Sequence, residues 1–413
     1  MSDFPADFLW GAATAGHQVE GNNTNSNWWA FEHAPGSPVN EPSGDAIDHW
    51  NRYDADFALL GALGLNAHRF SFEWSRIEPA EGEFSQVALD HYKRVLESLH
   101  RQQMTPFGTL CHFTIPQWFA ERGGWMSPDA LDLFGRYVEK VASAVGDLTP
   151  YLGTINEPQV VALMGYLNGG HAPGVQDLEQ ARQVNRTLAA AHRVGVRAVR
   201  AVAGESRVGT CLAFPYIEPA RADDEADLAV AARMRGFFID THLDDLQAAD
   251  DPGDFVGVQY YSRDRADGTS PIMKAGPPEG AELTRGGWEV YPAGFGHVLR
   301  DIASAGLPVV VTENGVDAID DTQRVRYIAS HLRELKSALD DGVDVRGYFH
   351  WSAFDDYEWG TYDGRFGLIG IDRGDDFRRF VRPSAVHYGE VARTGSLAGL
   401  NECAARLSGT QER

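Results

Sequence analysis

Two glutamates carry the strongest chemical signal in this chain. Glu157 ends the run Tyr-Leu-Gly-Thr-Ile-Asn-Glu-Pro (Tyr151 to Pro158), and Glu313 sits in Leu-Pro-Val-Val-Val-Thr-Glu-Asn-Gly (Leu307 to Gly315). In both, apolar or β-branched residues lead into a carboxylate flanked by Asn and followed by a chain-turning Pro or Gly. A buried strand that delivers a carboxylate at its carboxyl end delivers it to the face where α/β barrels do chemistry. Two facing carboxylates are the minimal equipment for breaking a glycosidic bond, one as proton donor and one as nucleophile or base.

Short apolar strands alternate with amphipathic helices from end to end. The expected strands are Phe8–Ala15, Ala67–Trp74, Thr105–Phe113, Tyr151–Asn156, Arg207–Phe214, Asp254–Tyr261, Pro308–Glu313 and Val345–Trp351. Helical spacing links Leu89, Tyr92, Leu96 and Leu99, and again Val325, Ile328, Leu332, Leu335 and Leu339. Gly and Pro punctuate the joints, as at Gly61–Gly64 and Gly306–Pro308. Eight strands with intervening helices fit an α/β fold, a single (β/α)8 TIM barrel over residues 1–413. An open doubly wound sheet would need a Gly-rich phosphate loop after an early strand. Gly11-Ala-Ala-Thr-Ala-Gly16 is not one.

Bulk properties narrow the function classes. With 413 residues, 43% of them hydrophobic, the chain has material for a large core. Three widely spaced cysteines (Cys111, Cys211, Cys403) form neither a disulfide framework nor a zinc motif, which points to a reducing, cytoplasmic setting. No signal peptide or membrane span is visible. A formal charge of −23 argues against nucleic acid or an anionic membrane as partner. His33, His49, His68 and His112 make no His-x-His or His-x-x-x-His set, and no nucleotide or flavin motif appears. No metal and no cofactor is therefore expected. Oligomeric state is not legible.

The ordered blocks along the chain resemble glycoside hydrolase family 1, the β-glucosidase and β-galactosidase group. The similarity begins with Phe8-Leu-Trp-Gly-Ala-Ala-Thr-Ala and Gln18-Val-Glu-Gly21, then Arg69-Phe-Ser, Glu73-Trp-Ser-Arg76 and His112 with Pro116-Gln-Trp118. It continues through Gly123-Gly-Trp125, Thr154-Ile-Asn-Glu-Pro158 and Gly165-Tyr to His171-Ala-Pro-Gly174. It closes with Gly287-Trp-Glu-Val-Tyr-Pro292, Thr312-Glu-Asn-Gly315, and Trp351 to Glu358-Trp359 with Arg365-Phe-Gly367.

That resemblance implies a retaining exo-β-glycosidase, foremost a β-glucosidase, acting on small β-glycosides or short oligosaccharides. It makes Glu157 the acid/base and Glu313 the nucleophile, about 5–5.5 Å apart. By the same resemblance Arg69 holds Glu313 ionised and Tyr261 hydrogen-bonds it. Gln18, His112, Asn156, Glu358 and Trp359 match the hydroxyl-binding set, Trp351 the aromatic platform, Trp288 the wall toward the leaving group, and Phe366 joins the substrate-binding residues. Glu358 near the 4- and 6-hydroxyls disfavours 6-phosphorylated sugars. The chemistry also admits a transglycosylase, and a non-catalytic relative is disfavoured because both carboxylates are present.

Departures from the family pattern are Phe113 and Gln159, each where Trp is common, and Gln259 where Asn is usual. They bear on substrate preference, as does the choice among gluco, galacto and fuco epimers, which the sequence leaves open. The stretch from Pro215 to Asp254 is shorter than in relatives and is expected to be essentially one helix, about Asp227 to Leu246. A more open leaving-group side follows from that shortening.

Overall fold

In a computed structural model describing residues 3–409, eight parallel strands close into a barrel. They are β1 (Leu9–Ala13), β2 (Ala67–Ser71), β3 (Thr105–Cys111), β4 (Tyr151–Asn156), β5 (Arg207–Ala213), β6 (Phe255–Tyr260), β7 (Val309–Gly315) and β8 (Val345–Trp351). Each pairs with its sequence neighbours in the barrel, and β1 closes on β8. This is the (β/α)8 architecture. The strands read as near-continuous apolar runs because both faces are covered: side chains fill the interior and helices pack outside. β4 and β8 match their expected limits. The others differ at one or both ends by one to three residues: most tips leave the ladder earlier, where the chain turns into the loops, while β7 stays paired two residues further, to Gly315.

The helices follow local chemistry. Ser85 accepts from the Ala88 N–H to cap Gln86–Arg101, and Asp320 caps Asp321–Asp340 through the Gln323 N–H. On the first, Leu89, Tyr92, Leu96 and Leu99 are buried as their spacing predicts. On the second, Val325, Ile328, Leu332 and Leu335 are buried and Leu339 is half-buried. Inside the barrel, Phe107 packs edge-on against Phe255 and Phe349, with ring centroids 5.4 and 5.6 Å away, plugging the lower interior. Gly11 makes room for that plug: a Cβ there would lie 2.4 Å from the Phe349 ring.

The ladder is irregular just below each glutamate. Pairing slips between Gly153 and Asn156 on the β4–β5 edge, and between Val311 and Glu313 on the β7–β6 edge. Such slips bend a strand and re-aim the side chains beyond them. At Gly315 the chain passes so close to β8 that a Cβ would collide with the Trp351 carbonyl.

The segment after β5 differs from expectation. The helix exists, as Glu225–Arg235 continuing through a π-helical Gly236–Asp240 into Thr241–Ala248. Before it, however, Tyr216–Pro219 forms a strand that pairs with Arg263–Ala266, itself paired with Lys274–Ala275. This three-stranded rim sheet escaped sequence reading because its first strand is four half-buried residues without alternation, and its partner lies about 45 positions on.

Candidate active site

β4 ends at Asn156, and Glu157 adopts a left-handed backbone (φ 41°) before Pro158 opens a helix at its favoured first position. Phe113 (φ 66°) and Trp359 (φ 47°) share that uncommon conformation and line the same cavity. Backbone strain of this kind persists where surrounding structure over-determines it, and it concentrates at functional sites.

At the carboxyl end of the barrel lies a cavity of about 450 Å³. Its wall contains Glu157, Glu313, Tyr261, His112, Asn156, Trp288, Trp351, Glu358, Trp359 and Phe366. Arg69 lies fully buried beneath it. Gln18 stands just outside the wall, its amide nitrogen donating to the Tyr357 carbonyl (2.9 Å) and Asp356 Oδ1 (3.4 Å), its Oε1 unpartnered among the described residues.

The two glutamates have opposite surroundings. Glu313 receives hydrogen bonds from Arg69 Nη1 (2.6 Å) and Gln259 Nε2 (3.0 Å) on Oε1, and from the Tyr261 hydroxyl (2.5 Å) on Oε2. Burial leaves its carboxyl raised overall, with the Arg69 charge and the Tyr261 bond pulling it only part of the way back. Glu157 accepts no side-chain donor among the described residues. Burial pushes it well above the ordinary carboxylate range, and the Glu313 charge pushes the same way. Of the pair, Glu313 ionises first and Glu157 keeps its proton.

Asn156 links the floor together. Its Oδ1 accepts from Arg69 Nη2 (2.5 Å) and Gln259 Nε2 (2.7 Å), which fixes the amide orientation. Its Nδ2 therefore donates to His112 Nε2 (3.2 Å), leaving the imidazole proton on Nδ1, which has no partner among the described residues. Burial and the nearby Arg69 charge hold His112 well below its usual pKa, so the ring is neutral. The His112 ring lies parallel to Trp351 and Trp359, with centroids 5.9 and 6.1 Å away. Trp351 Nε1 donates to Glu358 Oε1 (3.2 Å), and burial raises Glu358 to about 7.

Sequence reading treated Gln259 only as a departure. The structure makes it a direct donor to Glu313, a role its place one residue before the Tyr pair could have signalled. His171, Arg285 and Asp317 also line the cavity. Of these, only His171 lay in a recognised block.

A second cavity of about 530 Å³ adjoins the first, sharing Glu157, Val160, Tyr261 and Trp288. Phe214, Pro215 and Phe238 supply its apolar side, and Arg263, Arg265 and Lys274 of the rim sheet its polar side. Trp288, 49% exposed, stands between the two, edge-on to Tyr261 at 5.9 Å.

The chain matches the model of glycosyl hydrolase family 1 over residues 1–253 and 244–396. It is 32% identical to a 1,4-beta-D-glucan glucohydrolase of Thermotoga neapolitana, covering 96% of this chain and 100% of that one. It is 31% identical to beta-glucosidase A of Thermotoga maritima, covering 96% and 99%. Among solved structures, a beta-glycosidase from Pyrococcus horikoshii superposes with a TM-score of 0.91 at 35% identity, covering 98% of this chain and 99% of that one. The Thermotoga maritima beta-glucosidase in complex with glucoimidazole gives 0.90 at 30%, covering 95% and 99%. Fold, ordered motifs and relatives agree: the chain belongs to glycosyl hydrolase family 1.

Proposed function

We propose that this chain is a retaining exo-β-glycosidase, foremost a β-glucosidase, that removes terminal β-glycosyl residues from unphosphorylated glycosides. The observation that carries this reading is the contrast between a glutamate ringed by three donors and one with none. Glu313, stabilised as an anion, attacks the anomeric carbon as Glu157 passes its proton to the departing oxygen. Consuming the Glu313 charge removes the repulsion on Glu157, which then loses its preference for the proton and takes one from water. That water's oxygen attacks the glycosyl-enzyme, Glu313 leaves, and the configuration is retained over two inversions.

In this reading the neutral His112 offers its Nδ1–H, Gln18 its free Oε1, and Glu358 a carboxylate to the sugar hydroxyls, with Trp351 beneath the ring. The larger outer cavity receives the leaving group, and its size supports tolerance of bulky aglycones. Beta-glucosidases among the relatives support the glucoside preference. We further propose one catalytic domain and a cytoplasmic location, the latter supported by three unpaired cysteines. Among the described residues no helix is long and apolar enough to cross a membrane.

The test uses aryl β-glycosides with Glu157→Ala and added azide. The expected product is the β-glycosyl azide. An α-azide would refute retention.

A further inference from the structure

Behind Glu358 lies a second carboxyl that no step above uses. Asp356 is 2% exposed, and its Oδ2 meets no N–H or O–H donor among the described residues. Its Oδ1 has only the Gln18 amide at 3.4 Å. The Asp356 and Glu358 carboxyls lie within hydrogen-bonding reach of each other, although neither oxygen pair brings a donor unless one group is protonated.

Among the described residues no cation settles the pair. The charges that weigh most on Asp356 are Glu358, Asp355 and Glu313, and those on Glu358 include Glu313 and Asp317, all negative. Arg69 is held by Glu313, Arg285 by Asp317 and Arg382 by Asp355. Arg373 is held by Glu41, and Arg365 is exposed. The last four line, with Asp356, a rear cavity of about 440 Å³, and Asp356 forms an ion pair with none of them. Two buried anions in contact without a cation are untenable, and one proton between them removes the conflict.

We propose that Asp356 carries a proton and donates it to Glu358, making Asp356 a positioning residue that keeps Glu358 an ionised, aimed acceptor for the sugar. The division of labour follows the surroundings. The contact between the two raises Asp356 and lowers Glu358, while Glu358 has the Trp351 indole as a further donor. The front cavity thus sees the acceptor and the rear cavity sees the acid.

The proposal rests on the glycosidase reading for Glu358's role, but its central test does not need turnover. Infrared difference spectra of unliganded Glu157→Gln protein, with and without Asp356→Asn, are recorded at pH 8. A carboxylic-acid C=O band that vanishes with Asp356→Asn is expected. An unchanged spectrum in that region overturns the idea. As a second arm, Asp356→Asn retains a donor and Asp356→Leu does not. Loss of a bond to a charged acceptor should raise KM about tenfold in the Leu enzyme, with a smaller change in kcat, while Asn restores most of the affinity. Equal KM for the two variants would count against the donor role. Inactivity of the Glu313→Ala enzyme tests the glycosidase reading separately.

Discussion

The inner and outer cavities share Glu157, Tyr261 and Trp288, yet they are built differently. The inner one has Asn156 and Glu313 in its wall, tied into one continuous network by Arg69 beneath them and by Gln259, whose far side meets the outer cavity. The outer one is walled by loop and rim-sheet residues whose charges are satisfied locally, as Arg263 is by Glu289 (2.7 Å) and Lys274 by Asp264 (2.8 Å). In a continuous network each member is held in place by the others. Locally satisfied pairs leave the outer cavity free to vary without disturbing the chemistry.

The sharpest way to break that contrast is Glu313→Ala, expected to lower kcat by at least about 10⁴-fold on every aglycone in stopped assays. Next is Arg69→Met, which strips the cation from a buried carboxylate. Arg69 pulls the Glu313 pKa down, so its loss lets burial raise it, and the acid limb of kcat/KM moves to higher pH. An unmoved acid limb would show that Arg69 does not set the Glu313 charge. The same change should destabilise the protein by about 3–5 kcal/mol in urea unfolding, since a buried partner is left unpaired.

Gln259→Leu removes one of three donors from Glu313 and should cost roughly ten- to a hundredfold in kcat/KM, again for all aglycones. Outer-cavity changes should be smaller and selective. Trp288→Ala is expected to raise KM by up to about tenfold for aryl glucosides, while methyl glucoside is nearly unaffected. A uniform loss across both substrates would mean that the two cavities are not energetically separate.

The eight strands were legible because a parallel barrel forces apolar, β-branched runs wherever both faces are covered. Glu157 and Glu313 were legible because each ends an apolar strand, whereas the other inner residues were legible only through the ordered blocks that resemble the family. What was not legible required contacts that local pattern does not encode. The strand Tyr216–Pro219 exists only because Arg263–Ala266 lies beside it. Gln259 meets Glu313 because β6 and β7 pair with these two residues opposite each other, a register that its own segment only hints at. Asp356 reads as one more acidic residue until burial puts it against Glu358 without a cation.

The slips in pairing below Asn156 and Glu313 bear on how this fold tolerates change. Below them, Phe107, Val310 and Phe349 are fully buried in the lower barrel interior. Beyond them the strand tips are no longer in lockstep with that interior. Because such slips let a strand bend locally, a small shift in the lower interior is expected to be absorbed before it reaches the carboxylates. Trimming Val310 to Ala should then lower the melting temperature while each molecule that remains folded works at its former speed.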